Sequence, residues 1–79
     1  MIFGKKGTFS KMAESLVEKL AQELEEEVKK RPNDPELLFK LGIAYVRTGK
    51  IDKAREVYKK LKNINKEKAS ELLDRIYEV

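Results

Sequence analysis

The side chains that could do chemistry here are mostly charged. Between Arg47 and Lys68 stand nine bases: Arg47, Lys50, Lys53, Arg55, Lys59, Lys60, Lys62, Lys66 and Lys68. Against Asp52, Glu56 and Glu67 they leave a surplus of six, densest around Lys50, Lys53, Lys59, Lys60 and Lys62. Such a stretch can attract a phosphate backbone or an acidic peptide through its field. No aromatic side chain is interleaved to stack on bases, because Tyr58 has core spacing, and no recognition-helix motif is present. The opposite charge gathers from Glu23 to Glu27, straddles a helix face and reads as solvated surface. The chain has no cysteine and no histidine. That excludes a thiol nucleophile, zinc held by Cys or His, and the usual general base near neutral pH. Glycine-rich phosphate loops are missing, and no Ser or Lys has a neighbouring base or orienting group. The expectation is no catalytic role, no metal and no cofactor.

The elements that must position these residues are helices. Seventy-nine residues, two fifths charged and a similar share apolar, fit one small amphipathic helical domain. Residues 1–8 carry two lysines and two glycines without a period and are expected as a flexible tail, ahead of one domain over 9–79. Thr8 or Ser10 can cap a first helix over about 9–31. Its Phe9, Ala13, Leu16, Val17, Leu20, Leu24 and Val28 share one stripe at about 100° per residue. Glu25–Lys29, Glu26–Lys30 and Glu27–Arg31 are acid-before-base pairs four apart. Pro32 ends that helix. Asn33 or Asp34 caps a second over about 35–48, with Pro35 in its first turn and Gly49 as a left-handed stop. Asp52 can cap a third helix over about 52–62, carrying Ala54, Tyr58 and Leu61. A fourth over about 66–78 sets Leu72, Leu73, Ile76 and Val79 on one side. Short loops make the neighbours antiparallel.

The longest apolar run, Leu41 to Val46, is far short of the ~20 residues that cross a bilayer. Glu14 and Glu18 interrupt any signal-type apolar block after the early lysines. No membrane association and a cytoplasmic location are expected. Lys and Glu dominate while Gln is scarce, a bias seen in thermophile proteins that also describes a surface laced with ion pairs.

The middle of the chain resembles a tetratricopeptide repeat. The residues that carry the likeness are Leu38, Leu41-Gly42 and Tyr45 in one helix, Gly49 and Ile51 at the turn, then Ala54, Tyr58, Leu61 and Ile64. Leu61 is bulkier than the family's alanine, and Lys66 stands where the terminal proline usually lies. Shifted by one repeat, Leu20, Leu24 and Pro32 match an upstream second helix, with Glu27 at a position that is usually small. Leu72, Ile76 and Val79 match a following first helix. The resemblance implies an all-α fold of four helices: half a repeat, one whole repeat and a closing half, as antiparallel hairpins in a right-handed superhelical stack. A single repeat cannot bury both its faces, so the flanks are a physical requirement.

The resemblance also implies a function: a non-catalytic protein–protein interaction module, acting as an adaptor or in self-assembly. Its groove would be lined by Glu36, Phe39, Ile43, Val46 and Arg47, with an unusually apolar strip in Phe39, Ile43 and Val46. Three occupants are open. The chain's own long first helix can cover the strip. A second copy can pair through Phe9, Met12, Leu16 and Val17 as a homodimer. An amphipathic segment of another protein can dock as a helix in a groove. Nucleic acid or acidic peptide on the basic 47–68 segment is the less favoured alternative.

Overall fold

A computed structural model describes the backbone of residues 2–77 and the side chains of residues 16–77. Four helices follow one another: α1 (Ile2–Lys30), α2 (Pro35–Arg47), α3 (Ile51–Lys62) and α4 (Lys66–Tyr77). No strand occurs among the described residues, so the fold is all-α.

Local chemistry sets most of the boundaries. Asp34 is the N-cap of α2; its Oδ1 accepts from the backbone N–H groups of Glu36 and Leu37 at 3.0 and 3.3 Å. At the other end Gly49 takes φ +77. The N–H of Lys50 donates to Tyr45 O at 2.8 Å and that of Gly49 to Val46 O at 3.1 Å, the paired bonds of a Schellman stop. The Thr48 hydroxyl donates to Ala44 O at 3.0 Å, a second bond to a carbonyl that also accepts the Thr48 N–H at 3.1 Å.

Several expectations are corrected. The tail expected over 1–8 is drawn into α1, which begins at Ile2. Thr8 and Ser10 are therefore interior to the helix and not its caps. Gly4 and Gly7 weaken a helix by about 1 kcal/mol each but lack proline's power to break it. Asp52 does not cap α3. The Gly49 turn delivers the chain into the helix at Ile51, so Lys50 is the N-cap and Asp52 sits in the first turn. Asn65, expected only as a break, is a cap: its Oδ1 accepts from Lys68 N at 3.0 Å. Val79 lies outside the described residues.

Packing joins α1 to α2, α2 to α3, α3 to α4, and α2 to α4. Thus α2 is the central helix, touching all the others. The core holds Leu38, Leu41, Ala44 and Tyr45 of α2, Ala54, Val57 and Leu61 of α3, and Ala69, Leu72 and Ile76 of α4. Ala21 and Leu24 close it from α1, with Val17, Val28 and Tyr58 half-buried at its edge. Leu73 is half-buried as well. Gly42 marks the closest crossing: a Cβ there would meet Leu72 Cδ2 at 2.5 Å and Cδ1 at 2.8 Å. The small residue is needed because a fully buried leucine already fills the space. Leu61 is also fully buried, so its extra bulk is absorbed within the core.

Candidate functional site: an apolar groove between the first and second helices

Along one flank of α2 the molecule has an open groove of about 380 Å³. Val17, Leu20 and Leu24 of α1 form one wall, while Phe39, Ile43 and Ala44 of α2 form the floor. Lys40 and Arg47 of α2 and Arg75 of α4 stand at its edge, and no acid is among the lining residues. The groove arises because α1 packs on α2 but reaches neither α3 nor α4 among the described residues.

Of the five residues expected to line the site, Phe39, Ile43 and Arg47 do so, spaced four apart on α2. Phe39 and Ile43 are half-buried and Arg47 is exposed. Val46 is half-buried but packs against the core and is not among the groove residues. By helical register it lies on the Gly42 side of Ile43, which is the side facing α4. Glu36 stands exposed beyond the groove, paired with Lys68 Nζ at 3.3 Å. That ammonium also lies 5.6 Å from the centre of the Phe39 ring. This pair therefore fixes one edge of the strip against α4. The expected apolar strip is shorter than proposed by one residue and gains its other half from α1.

Among the residues expected for self-association, Val17 is half-buried in the groove wall and Leu16 is 68% exposed. Leu20, beside it, is 49% exposed although it is apolar and lines the groove. The side chains of Phe9 and Met12 lie outside the described residues.

The basic residues do not converge. Lys50, Lys53, Lys59, Lys60 and Lys62 are all exposed and spread around the solvent face of α3. Lys53 Nζ sits 5.7 Å from the Tyr45 ring centre, and Lys59 faces Glu56 at 3.9 Å. Lys59, Lys60 and Glu56 rim a second, shallow depression over Val28, Leu38, Leu41 and Val57. Tyr58 is half-buried, while the exposed Tyr77 of α4 lies beside the same helix, its ring centre 5.8 Å from the Arg55 guanidinium.

One contact was not legible as such. The Tyr45 hydroxyl donates to Glu25 Oε2 from across the α1–α2 interface. Burial, the bond to Glu25 and that carboxylate's charge, in this order, push the Tyr45 phenol far above its ordinary value of 10.0. Glu25 is accordingly half-buried and not simply part of an acidic surface run. Because Glu25 is engaged by Tyr45, Lys29 pairs instead with Glu26 at 3.4 Å.

Among the described residues no group of His, Cys, Asp or Glu has metal-binding geometry, and no helix is long and apolar enough to cross a membrane. No family model matches the chain, nor does any curated protein or solved structure. The likeness to a tetratricopeptide repeat therefore rests on the sequence pattern alone.

Proposed function

We propose that this chain is a non-catalytic protein–protein interaction module of tetratricopeptide type. It works as an adaptor or a self-assembly domain, with the helix pairs in a right-handed superhelical stack. The observation that supports this reading is the groove: apolar on its floor and on the α1 wall, and cationic at its edge. An amphipathic helix would place its apolar stripe on Leu20, Leu24, Phe39 and Ile43, and acidic flanks beside Lys40, Arg47 and Arg75. The cytoplasm is the proposed location.

The test uses a labelled amphipathic helical peptide with an acidic polar face, titrated against dilute protein. Binding is expected for the native chain. Ile43→Asp places a carboxylate on the groove floor and is expected to weaken binding at least tenfold. Equal binding by that variant would remove the groove from the interaction. The electrostatic alternative is tested separately with a mixed-sequence oligonucleotide. Absence of retention at about 50 mM salt, where phosphate contacts are strong, would exclude it.

A further inference from the structure

We infer that the groove takes a small ligand, a free long-chain carboxylate. Its head lies between Arg47 and Arg75, and its hydrocarbon chain runs over Ile43 toward Phe39. The inference rests on the groove of the interaction-module reading and gives that site a ligand that competes with a helical partner.

The first argument is the sign of the lining. Lys40, Arg47 and Arg75 border the groove and no acid does. The ion pairs among the described residues are Lys29–Glu26, Lys59–Glu56 and Lys68–Glu36, so none of these three cations is in one. The depression over Val28, Leu38, Leu41 and Val57 is different, because Glu56 stands on its rim with Lys59 and Lys60. An apolar floor edged only by cations suits a ligand that is apolar along its length and anionic at its head. The volume of about 380 Å³ falls in the range of small-molecule sites, about 300–1,000 Å³.

The second argument is that the two ends of the groove differ. Lys68 Nζ of α4 lies 3.3 Å from Glu36 and 5.6 Å from the centre of the Phe39 ring, and further along Leu72 meets Gly42. The two helices therefore run side by side in the same direction, and Arg75 falls level with Arg47. Both guanidinium groups border the groove at that end. At the Phe39 end, Glu36 and Lys68 neutralise one another. Lys40 lies about 10 Å back along α2 from Arg47, too far to share the same head. A cation in the last turn suits the dipoles of α2 and α4. Dipoles do not account for both arginines bordering one groove whose lining has no acid. Two guanidinium forks can hold one carboxylate through several N–H donors at once.

The third argument is the floor. Arg47 and Phe39 stand two turns apart on α2, about 12 Å, with Ile43 between them. Leu20 and Leu24 line the opposite wall. Leu20 is 49% exposed and Phe39 and Ile43 are half-buried, so a chain lying on them removes apolar surface that helix packing leaves in water.

The experiment titrates the full chain with decanoate, below its micelle-forming concentration, by calorimetry and by NMR. Binding is expected with a Kd below about 1 mM. The resonances that move should be those of Leu20, Phe39 and Ile43. Affinity should rise about twofold per methylene from octanoate to dodecanoate, less than the ~fourfold of complete burial because the groove is open. Decanol, with the same chain and no charge, should bind about tenfold more weakly. R47Q/R75Q alters two exposed side chains, so helix content should persist while the preference for decanoate over decanol disappears. No decanoate binding, equal binding of decanol by the native chain, a preference that survives R47Q/R75Q, or shifts confined to Val57 and its neighbours would overturn the inference. If the acidic helical peptide binds and decanoate does not displace it, the inference falls and the module reading stands. If decanoate binds through the arginines and the peptide does not bind, the inference stands and the module reading falls.

Discussion

Tyr45 shows how one side chain joins packing to charge. Its ring is buried at 6% exposure while its hydroxyl reaches Glu25 on the neighbouring helix. Tyr45→Phe keeps the ring and removes the donor, leaving a half-buried carboxylate without its partner. A loss of about 1.5 kcal/mol is expected from chemical denaturation, near the lower end for bonds to charged groups. The pH dependence follows from the direction of the phenol's shift. Below pH 10 the phenol is neutral in folded and unfolded chains, so its contribution is complete and flat. Above that pH the unfolded chain gives up the proton while the folded one retains it, so stability falls as pH rises. The Phe variant should lack this component of the alkaline slope. Identical slopes in the two proteins would show that folding does not raise the Tyr45 phenol above its ordinary value.

At the scale of elements, the crossing of α2 and α4 turns on Gly42 and Leu72. Ala in a helix is favoured over Gly by about 1 kcal/mol, but overpacking a closed core costs about 1–3 kcal/mol. With Leu72 fully buried and a new Cβ only 2.5 Å from it, the second effect should win. Gly42→Ala is therefore expected to lower stability by roughly 1 kcal/mol. Leu72→Ala opens the space that the new methyl needs. In the double variant the two costs should add to less than their sum, by about 1 kcal/mol in a mutant cycle. Simple additivity would mean that the helices move apart instead. The caps give a plainer test. Asp34→Ala and Asn65→Ala should each cost about 1 kcal/mol in thermal or denaturant unfolding. Asp52→Ala should cost less, because it caps nothing.

The same elements show what the sequence could and could not convey. Pro35, Asp34 and Gly49 act within a few residues of themselves, so their roles were legible. Asp52 was misread because the Lys50–Tyr45 hydrogen bond, formed by the preceding helix, sets where α3 begins. Ala21, Val57 and Ala69 were missed from the core because small or β-branched residues stand out less than the leucines around them. In the groove, Phe39, Ile43 and Arg47 could be named only through the resemblance to a tetratricopeptide repeat, which implies that they share one face of a helix. Arg75 could not, since it reaches the groove edge only through the packing of α4 on α2. Leu20 was assigned to the packed stripe, and its exposure depends on α1 having a neighbour on one side only.

For the whole molecule, the central position of α2 decides how the chain comes apart. It touches α1, α3 and α4, while α1 touches α2 alone among the described residues. A defect at the α2–α4 crossing should therefore spread through α2 to every helix. Leu72→Ala is the direct probe, since Leu72 is fully buried and large. Its expected cost is about 2–5 kcal/mol. A domain of this size holds roughly 4–12 kcal/mol in all, so the variant should lose a large part of its stability. If the four helices form one cooperative unit, helix content and tyrosine fluorescence will change in a single shared transition, shifted to lower temperature. Two separated transitions, with the helical signal of α1 outlasting the tyrosine signal, would mean otherwise. Then α1 and its wall of the groove would hold together independently of the α2–α4 crossing, and α2 would not be the element through which the fold is coupled.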